Sequence, residues 1–500
     1  MSKHQTGGVM QIQDDTPFKI LVLGDFCGQV NQRKTTPLAR RRPIRIDRDN
    51  FDRVMQQLEV GLNDLQFASQ EHPAALRFRE IDDFHPDQLL SQCDFFSCLS
   101  SLRDRLLDDG TYREAAQEVL SWSGAPIQSQ EHEGPAPVSA KEEPAPVAPP
   151  PSGTGSLLDQ MLDDPIQPAD TDDQWTQLVR EIALPYCLPD ANPRQAELLG
   201  CVDSATRVGL RALLQHPRFR KLEATWRALH LLVHRLETNT QLQISILDVS
   251  EQELLQDSTC TNVAESGLHR ILVEQTIEIE GSDPWSLIVG DFLVGDHHDK
   301  LLAFLGAVAS AAGAPLLTAA DDQLVGFAGD REFPEIAPSA LQESDAWAGL
   351  QASPEASSIA LVWPRFLLRL PYGQETNPLE TLDFDEIPAD ENQAAFASQL
   401  LWGNGSYLCA LLLGESFTQA QWQMAPGDVT EIRRLPVWIF QQNGESEVHP
   451  CGEYLLSERV IAQVRAKGVM TLTSIRDQDS VRISKFHSLN GQQLSGRWTR

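Results

Sequence analysis

The run Phe18-Lys-Ile-Leu-Val-Leu-Gly24, followed by Asp25-Phe-Cys-Gly28, decides the fold of this chain. It is a continuous apolar stretch of β-forming residues that ends at a glycine, the pattern of a buried strand. Stretches of the same kind follow at Leu242–Val249, Trp285–Val289, Ile359–Trp363 and Val437–Phe440. Helical patterns separate these stretches, so we predict an α/β fold with a largely parallel or mixed sheet.

Apolar residues at helical spacing predict the helices between the strands. One begins at Phe51, one covers about Tyr112 to Trp122, and a long pattern runs from Leu210 to Leu236. The longest apolar stretch, Leu301–Ala320, is rich in alanine and contains two glycines. We interpret it as a buried helix that ends before Pro315, and not as a membrane span.

Composition divides the chain into three regions. Residues 126–155 are mostly Pro, Ala, Glu, Ser and Gly, which cannot form a core, so we predict a disordered linker there. A linker of this kind lets its flanks fold separately and keeps them at high effective concentration. We therefore predict two α/β units, at residues 1–125 and 156–500.

The formal net charge is −31, which disfavours binding to nucleic acids and to anionic membrane surfaces. A basic stretch near the N-terminus is the exception and is our candidate interface with an acidic partner or a second copy. Its residues are Arg33, Lys34, Arg40, Arg41, Arg42, Arg45 and Arg48. The competing interpretation is a solvated loop and helix start, because isolated surface charges contribute little.

The sequence contains few motifs of catalytic, nucleotide-binding or metal sites. Gly24 and Gly28 follow a strand, but neither GxxxxGK[ST] nor GxGxxG is present. Ser406 follows Gly403-Asn-Gly but lacks the second glycine of a nucleophile elbow. His297 and His298 are adjacent on one loop and outside any HExxH motif, a pattern that disfavours a shared metal.

Asp25 and Asp291 both occur in a Gly-Asp-Phe setting, where we expect them to follow strands and cap turns. The alternative is acid–base work by paired carboxylates. The eight cysteines include no CxxC pair, and no apolar run marks a secretory signal at the start. We predict a cytoplasmic protein that is not an enzyme and has no catalytic, cofactor or metal site.

Three motifs in the first region resemble the small subunit family of the type VI secretion contractile sheath, TssB (VipA/ImpB-like). They are Phe18-Lys-Ile-Leu-Val-Leu-Gly-Asp-Phe-Cys-Gly28, Arg42-Pro-Ile-Arg-Ile-Asp-Arg-Asp-Asn-Phe51 and Phe78-Arg-Glu-Ile-Asp-Asp-Phe-His-Pro-Asp87. They occur in the family's order and cover nearly the whole region.

The last region is similar to the large sheath subunit family, TssC (VipB/ImpC/EvpB-like). The resemblance rests on His216–Leu229, Ile246–Ser250, Ile288–Phe292, Pro364–Gly373 and Leu401–Asn404. Ser156–Leu162 also resembles a family segment that the recycling ATPase ClpV recognises in some members. The resemblance therefore implies a candidate ATPase-recognition helix with the apolar residues Leu157, Leu158, Met161 and Leu162.

The resemblance implies mechanical work without a cofactor: small and large subunits pair into a tube around an inner Hcp tube, on a baseplate, and the tube contracts. The implied partners are sheath subunits or a second copy, with Hcp, the baseplate and ClpV as further candidates. The two families are usually separate chains, and here they are fused. We expect the family's terminal interlocking strands to be missing. Two hypotheses therefore stay open, a sheath subunit and a non-polymerising accessory that caps or regulates the sheath or baseplate.

Overall fold

The computed structural model describes residues 16–28, 36–66, 74–122, 195–277, 282–295, 297–327, 345–388, 398–442, 445–476 and 478–498. The predicted linker at residues 126–155 lies outside these ranges. The described residues divide into two compact units. The first comprises the described parts of 1–67, 72–94 and 210–500, and the second those of 95–209.

The strands of the described residues have the following bounds: β1 Phe18–Gly24, β2 Ile44–Ile46, β3 Gly61–Leu65, β4 Ala74–Arg77, β5 Leu242–Asp248, β6 Leu287–Val294, β7 Leu316–Ala320, β8 Ile359–Trp363, β9 Phe366–Leu367, β10 Trp402–Gly403, β11 Glu431–Ile432, β12 Trp438–Gln442, β13 Glu445–His449, β14 Val469–Ser474 and β15 Val481–Ile483.

Nine of these strands form one sheet in the first unit, in the order β11-β15-β14-β8-β7-β6-β1-β5-β2. The strands from β14 to β5 are parallel to their neighbours. At the two edges, β2, β15 and β11 pair antiparallel. The predicted α/β class with a mixed sheet is confirmed.

Strand β1 lies in the interior of this sheet, between β5 and β6. Phe18 is in register with Leu242 and Gly24 with Asp248, while Ile20 is in register with Leu287. A parallel strand with neighbours on both sides is covered on both faces, which accounts for its unbroken apolar sequence. The N-terminal and C-terminal regions of the chain thus contribute to the same sheet.

The helices have the following bounds: α1 Phe51–Leu58, α2 Pro86–Gln92, α3 Asp94–Leu107, α4 Tyr112–Trp122, α5 Gln195–Leu214, α6 Pro217–Arg235, α7 Glu251–Asp257, α8 Asp299–Ala312, α9 Asp345–Gln351, α10 Ser406–Ala420 and α11 Glu458–Ala466. Shorter helical segments are Leu38–Arg40, Ile81–Phe84, Val263–Glu265, Gly267–His269, Arg270–Glu274, Asp322–Val325, Pro354–Ser358 and Gln421–Gln423. Within the described ranges, no helix is long and apolar enough to cross a bilayer.

The predicted helical pattern from Leu210 to Leu236 forms parts of two helices, α5 and α6. The break falls at Gln215 and His216, because Pro217 cannot donate to a preceding turn and restricts the residue before it. His216 caps the new helix by accepting a hydrogen bond on its ring from the Arg218 amide at 3.2 Å. Pro217 then occupies the first turn, where a missing N–H costs nothing.

Helices cover the central strands. Leu21 and Ile288 belong to a buried apolar cluster that includes Leu301 and Leu305 of α8. Helix α10 packs against β1, β6 and β7, and its residues lie outside that cluster. Helix α8 ends before Pro315, as predicted, and Gly313 follows it in the left-handed conformation with φ 62°.

The second unit contains α4 and most of α3 and α5. Gln195 Nε2 donates to the Leu106 carbonyl at 2.7 Å, and Arg103 pairs with Asp203 at 2.9 Å. These contacts join α3 to α5, so this part of the chain has helix packing of its own.

Candidate functional site

The predicted basic interface is only partly described by the structure. Arg33 and Lys34 lie outside the described residues. Arg40 and Arg42 flank the end of the short helical segment Leu38–Arg40, and both side chains are exposed. They are therefore placed where a partner could reach them.

Arg45 on β2 and Arg48 in the following turn are also exposed, but they contact the chain itself. Arg45 donates to the Asn239 carbonyl at 3.0 Å, and Arg48 donates to the His234 carbonyl at 2.5 Å. Each guanidinium has further N–H groups, so these contacts orient the side chains without using all their donors.

Arg41 differs from its neighbours because its guanidinium turns inward. It donates to the Asp248 carbonyl at 2.7 Å and forms a two-point ion pair with Glu253. Burial alone would raise the pKa of Glu253, but the bonds from Arg41 and from Ser250 hold it below its usual value. We call the basic stretch from Arg33 to Arg48 the basic loop. Arg41 connects this loop to the start of α7.

The candidate ATPase-recognition residues Leu157, Leu158, Met161 and Leu162 all lie outside the described residues. Their recognition by a partner stays a prediction.

A cleft of about 430 Å³ lies within the first unit, where the start of α6 meets β6 and the segment before β10. Its polar lining is formed by Gln215, Arg220, Lys221, Thr225, Glu251, Asp291, Arg365, Ser398 and Asn404. Its apolar lining includes Phe292, Leu293, Leu401 and Trp402. Concave sites that combine apolar walls with a few converging polar groups are the usual places for binding.

Asp291 lies inside β6, so the prediction that it follows a strand and caps a turn is wrong. Its carboxyl is 2.5 Å from the Thr225 hydroxyl, which is in turn 3.0 Å from the Lys221 carbonyl. Burial raises the pKa of Asp291, although Thr225 and the Lys221 charge oppose this. Thr225 has one hydroxyl hydrogen, so it can donate to the Asp291 carboxyl or to the Lys221 carbonyl but not to both at once.

Two arginines line the cleft and are held differently. Arg365 forms a two-point ion pair with the buried Glu453, with Nε 2.8 Å from Oε2. Arg220 instead donates to the carbonyls of Ser398, at 2.8 Å, and Leu400. Burial and then Arg365 lower the pKa of Arg220. The charges of Glu386 and Glu223 oppose this shift. The two carbonyls accept from two of the five N–H groups of Arg220.

Sequence analysis disfavoured a metal site at the adjacent residues His297 and His298, and His298 is held by contacts within the protein. His298 is buried, accepts a hydrogen bond on Nδ1 from the Gly295 amide at 3.0 Å, and lies with Nε2 3.0 Å from Glu251. An accepting Nδ1 leaves the hydrogen on Nε2, which donates to the carboxylate. Both ring nitrogens of His298 are thus occupied, and Glu251 is oriented at the edge of the cleft.

The loop after β1 is held by a carboxylate of the neighbouring strand. Asp248 Oδ1 accepts from the amides of Phe26, at 2.9 Å, and Cys27, at 3.1 Å, and the Cys27 thiol donates to Oδ2 at 2.9 Å. One ligand atom each from Asp25, Cys27 and Asp248 lie within 4.8 Å of one another. These residues could approach a metal, but the loop bonds already account for Asp248 as a structural acceptor.

A buried ionic network connects α6 with the segment that follows β9. Arg369 bridges Glu223 and Glu386, each at 2.7 Å, and Arg227 pairs with Glu223 at 2.7 Å. Tyr372 accepts from Arg227 at 3.0 Å, and burial raises its pKa to about 12. Both carboxylates are at most 2% exposed, so their charges are balanced by the arginines and not by water.

Family comparisons match both regions of the chain. The family model for the EvpB tail sheath N-terminal domain, VipB, matches residues 197–490, more than half of the chain. The model for the type VI secretion system protein VipA matches residues 3–118. The resemblance to a small and a large sheath subunit in one chain is confirmed.

One curated relative is the type VI secretion system sheath protein TssC1 of Pseudomonas aeruginosa PAO1. It is 28% identical over 305 residues, which are 58% of this chain and 60% of the relative. The chain thus spans about 60% of the length of that relative. A solved structure, the sixfold-symmetrised baseplate of the anti-feeding prophage, aligns with 14% identity over 54% of this chain and 52% of its own, at a TM-score of 0.25. By its match over residues 197–490, with a VipA-like region before it, the chain belongs to the VipB (EvpB) tail sheath family.

Proposed function

We propose that this chain is a non-enzymatic structural component of the type VI secretion contractile sheath, in which small-subunit-like and large-subunit-like regions act as one protomer. The observation that carries the proposal is the pairing of β1, from the VipA-like region, between β5 and β6 of the VipB-like region. The small-subunit-like and large-subunit-like regions thus share one sheet, and their association does not depend on an encounter between separate chains.

The site chemistry supports a mechanical role. Asp291, Glu251 and Asp248 are each committed to hydrogen bonds that hold helices, loops and strands together. A catalytic group needs a reacting atom within reach and a pKa suited to proton transfer at the working pH. These carboxylates are instead placed as structural acceptors.

For the chain's organisation, we propose a small-subunit region at residues 1–125, a linker at 126–155 and a large-subunit region at 156–500. These boundaries follow the families and the composition, whereas the compact units of the fold do not follow chain order. We also propose a cytoplasmic location.

The proposed partners are sheath subunits or a second copy of this chain, followed by the Hcp tube, the baseplate and the ATPase ClpV. Exposed Arg40, Arg42, Arg45 and Arg48 support a docking role for the basic loop, together with Arg33 and Lys34. Arg41 supports it indirectly, because it anchors the loop to α7. Leu157, Leu158, Met161 and Leu162 are the proposed ATPase-recognition residues.

Electron microscopy of the purified full chain tests the function, alone and mixed with separately expressed small and large sheath subunits. A sheath protomer gives tubes in at least one of these samples. Binding to sheath subunits without any tube identifies the capping or regulatory accessory instead. A chain that stays monomeric in every mixture and binds no sheath subunit contradicts both roles.

A further inference from the structure

The cleft is lined by two cations that form no ion pair with a described carboxylate. Arg365 is balanced by Glu453, and Glu251 is hydrogen bonded to His298. Arg220 and Lys221 also line the cleft, and in the described part of the chain no carboxylate lies within ion-pair distance of either. Arg220 and Lys221 therefore line the cleft without a carboxylate in ion-pair contact, while Glu251 and Asp291 line other parts of it.

Arg220 is fixed in place before any ligand arrives. Its bonds to the carbonyls of Ser398 and Leu400 hold the guanidinium against the rim of the cleft. Gln215 adds a bond to the neighbouring Gln399 carbonyl at 3.1 Å. A cation whose position is already set loses little freedom when an anion binds, which favours binding.

Apolar surface accompanies these charges. Leu293 is 36% exposed and is among the most exposed large apolar side chains of the described residues. It lines the same cleft as Leu401 and Trp402. Cations beside exposed apolar surface select a ligand with carboxylates beside apolar side chains, which is the chemistry of an acidic amphipathic peptide.

The chain itself contains a segment of this chemistry. Ser156–Asp173 holds six aspartates and no lysine or arginine, together with the apolar residues Leu157, Leu158, Met161, Leu162 and Ile166. Residues 174–194 separate it from α5, and these 21 positions can extend over about 70 Å. Helix α5 is about 30 Å long, and Gln215, which lines the cleft, follows directly after it.

We propose that the cleft is a peptide-binding site for acidic, leucine-containing segments, and that its occupant is Ser156–Asp173. The aspartates pair with Lys221 and Arg220, while the apolar residues cover Leu293. This docking does not require tube formation, so it and the proposed sheath function can fail separately.

Zero-length carbodiimide crosslinking of the full chain tests the site, because it joins a lysine amine to a carboxylate only when the two are in contact. Mass spectrometry is expected to find Lys221 joined to an aspartate of Ser156–Asp173, with the yield falling several-fold in high salt. A mixture of ¹⁴N and ¹⁵N chains separates docking within a chain from docking between copies, and either source supports the site.

Two controls keep the result interpretable. Lys221→Gln, at an exposed position, should fold normally and abolish this crosslink, while exposed Lys485→Gln should leave it unchanged. In addition, a fluorescent peptide of residues 156–173 should bind a full chain whose own six aspartates in this segment are changed to asparagine, and should bind it at least tenfold more weakly after Lys221→Glu. The proposal is overturned if Lys221 forms no crosslink to this segment while other lysines of the same sample react, or if Lys221→Glu leaves peptide binding unchanged.

Discussion

Val22 and Ile246 lie opposite each other in the parallel pair of β1 and β5, although one belongs to the VipA-like region and the other to the VipB-like region. On its other side, Val22 is in register with Val289 of β6. Strand β1 is hydrogen bonded to a parallel strand on each side, so it links the two regions inside the sheet.

We expect Val22→Asp to destabilise the whole first unit by more than about 4 kcal/mol, because it places an unpaired charge where the side chain is fully buried. Chemical denaturation followed by tryptophan fluorescence measures the change. Arg42→Ala, at an exposed position, is the control and should change stability by less than about 0.5 kcal/mol. Similar small effects from both variants would mean that β1 is not part of the core sheet.

Removing Arg369 should be costly as well. Arg369→Ala leaves Glu223 and Glu386 buried with fewer positive partners, and we expect a loss of about 3–5 kcal/mol in the free energy of unfolding. Arg433→Ala is the matched control, since Arg433 pairs with Glu431 but its side chain is 75% exposed. That variant should change the free energy of unfolding far less than Arg369→Ala does. Equal losses would contradict a buried, mutually dependent network.

Stability should depend on pH through His230. Burial, then His234 and Arg227, lower the pKa of His230 from 6.5 to about 4. Between these values the unfolded chain binds a proton that the folded chain does not, so stability falls as the pH drops from about 6.5 to about 4. The denaturation midpoint of His230→Gln should fall less across this range. Exposed His297→Gln should behave as the parent, and an identical decline in all three proteins would remove His230 as a cause.

Some elements could be predicted from the sequence alone, and others could not. The strand at Phe18–Gly24 and the helix Tyr112–Trp122 are local patterns, and both have the predicted bounds. The neighbours of β1 are not local: nothing in the run itself indicates that Leu242 and Leu287 lie beside it.

The cleft could not be predicted from the sequence, because its residues are also distant along the chain. Arg220, Asp291 and Arg365 come from different elements, and only the packed fold brings them together. Gly290-Asp291-Phe292 suggested a strand end because polar residues are uncommon inside buried strands. The Thr225 hydroxyl, supplied by α6, gives the Asp291 carboxyl a hydrogen-bond partner inside the strand.

Charge reversal of the basic loop should weaken assembly. We expect Arg40→Glu combined with Arg42→Glu to reduce the affinity for sheath subunits about tenfold at low salt, with a smaller effect at high salt. Biolayer interferometry at several salt concentrations measures this. The control is Arg113→Glu on exposed α4 surface, outside the basic loop. If the control loses as much affinity as the double variant, the loop is not the interface.

Arg41→Glu tests whether Arg41 anchors the basic loop to α7. Because Arg41 pairs with Glu253, the reversed charge faces a carboxylate, and we expect lower stability in addition to weaker binding. The loss of stability should exceed that of Arg42→Glu by about 1 kcal/mol or more. If thermal unfolding shows the two variants to be equally stable, Arg41 does not anchor the loop.

Cleavage of the linker tests the central claim most directly. A specific protease site inserted after Pro144 allows the full chain to be cut after it has folded, and size-exclusion chromatography with light scattering then gives the mass in dilute, high-salt buffer. If β1 pairs with β5 and β6 of its own chain, the two fragments should elute together with the mass of one chain, 55.5 kDa. Separation of the fragments, or a complex with the mass of two chains, would contradict a single sheet built from both regions of one protomer.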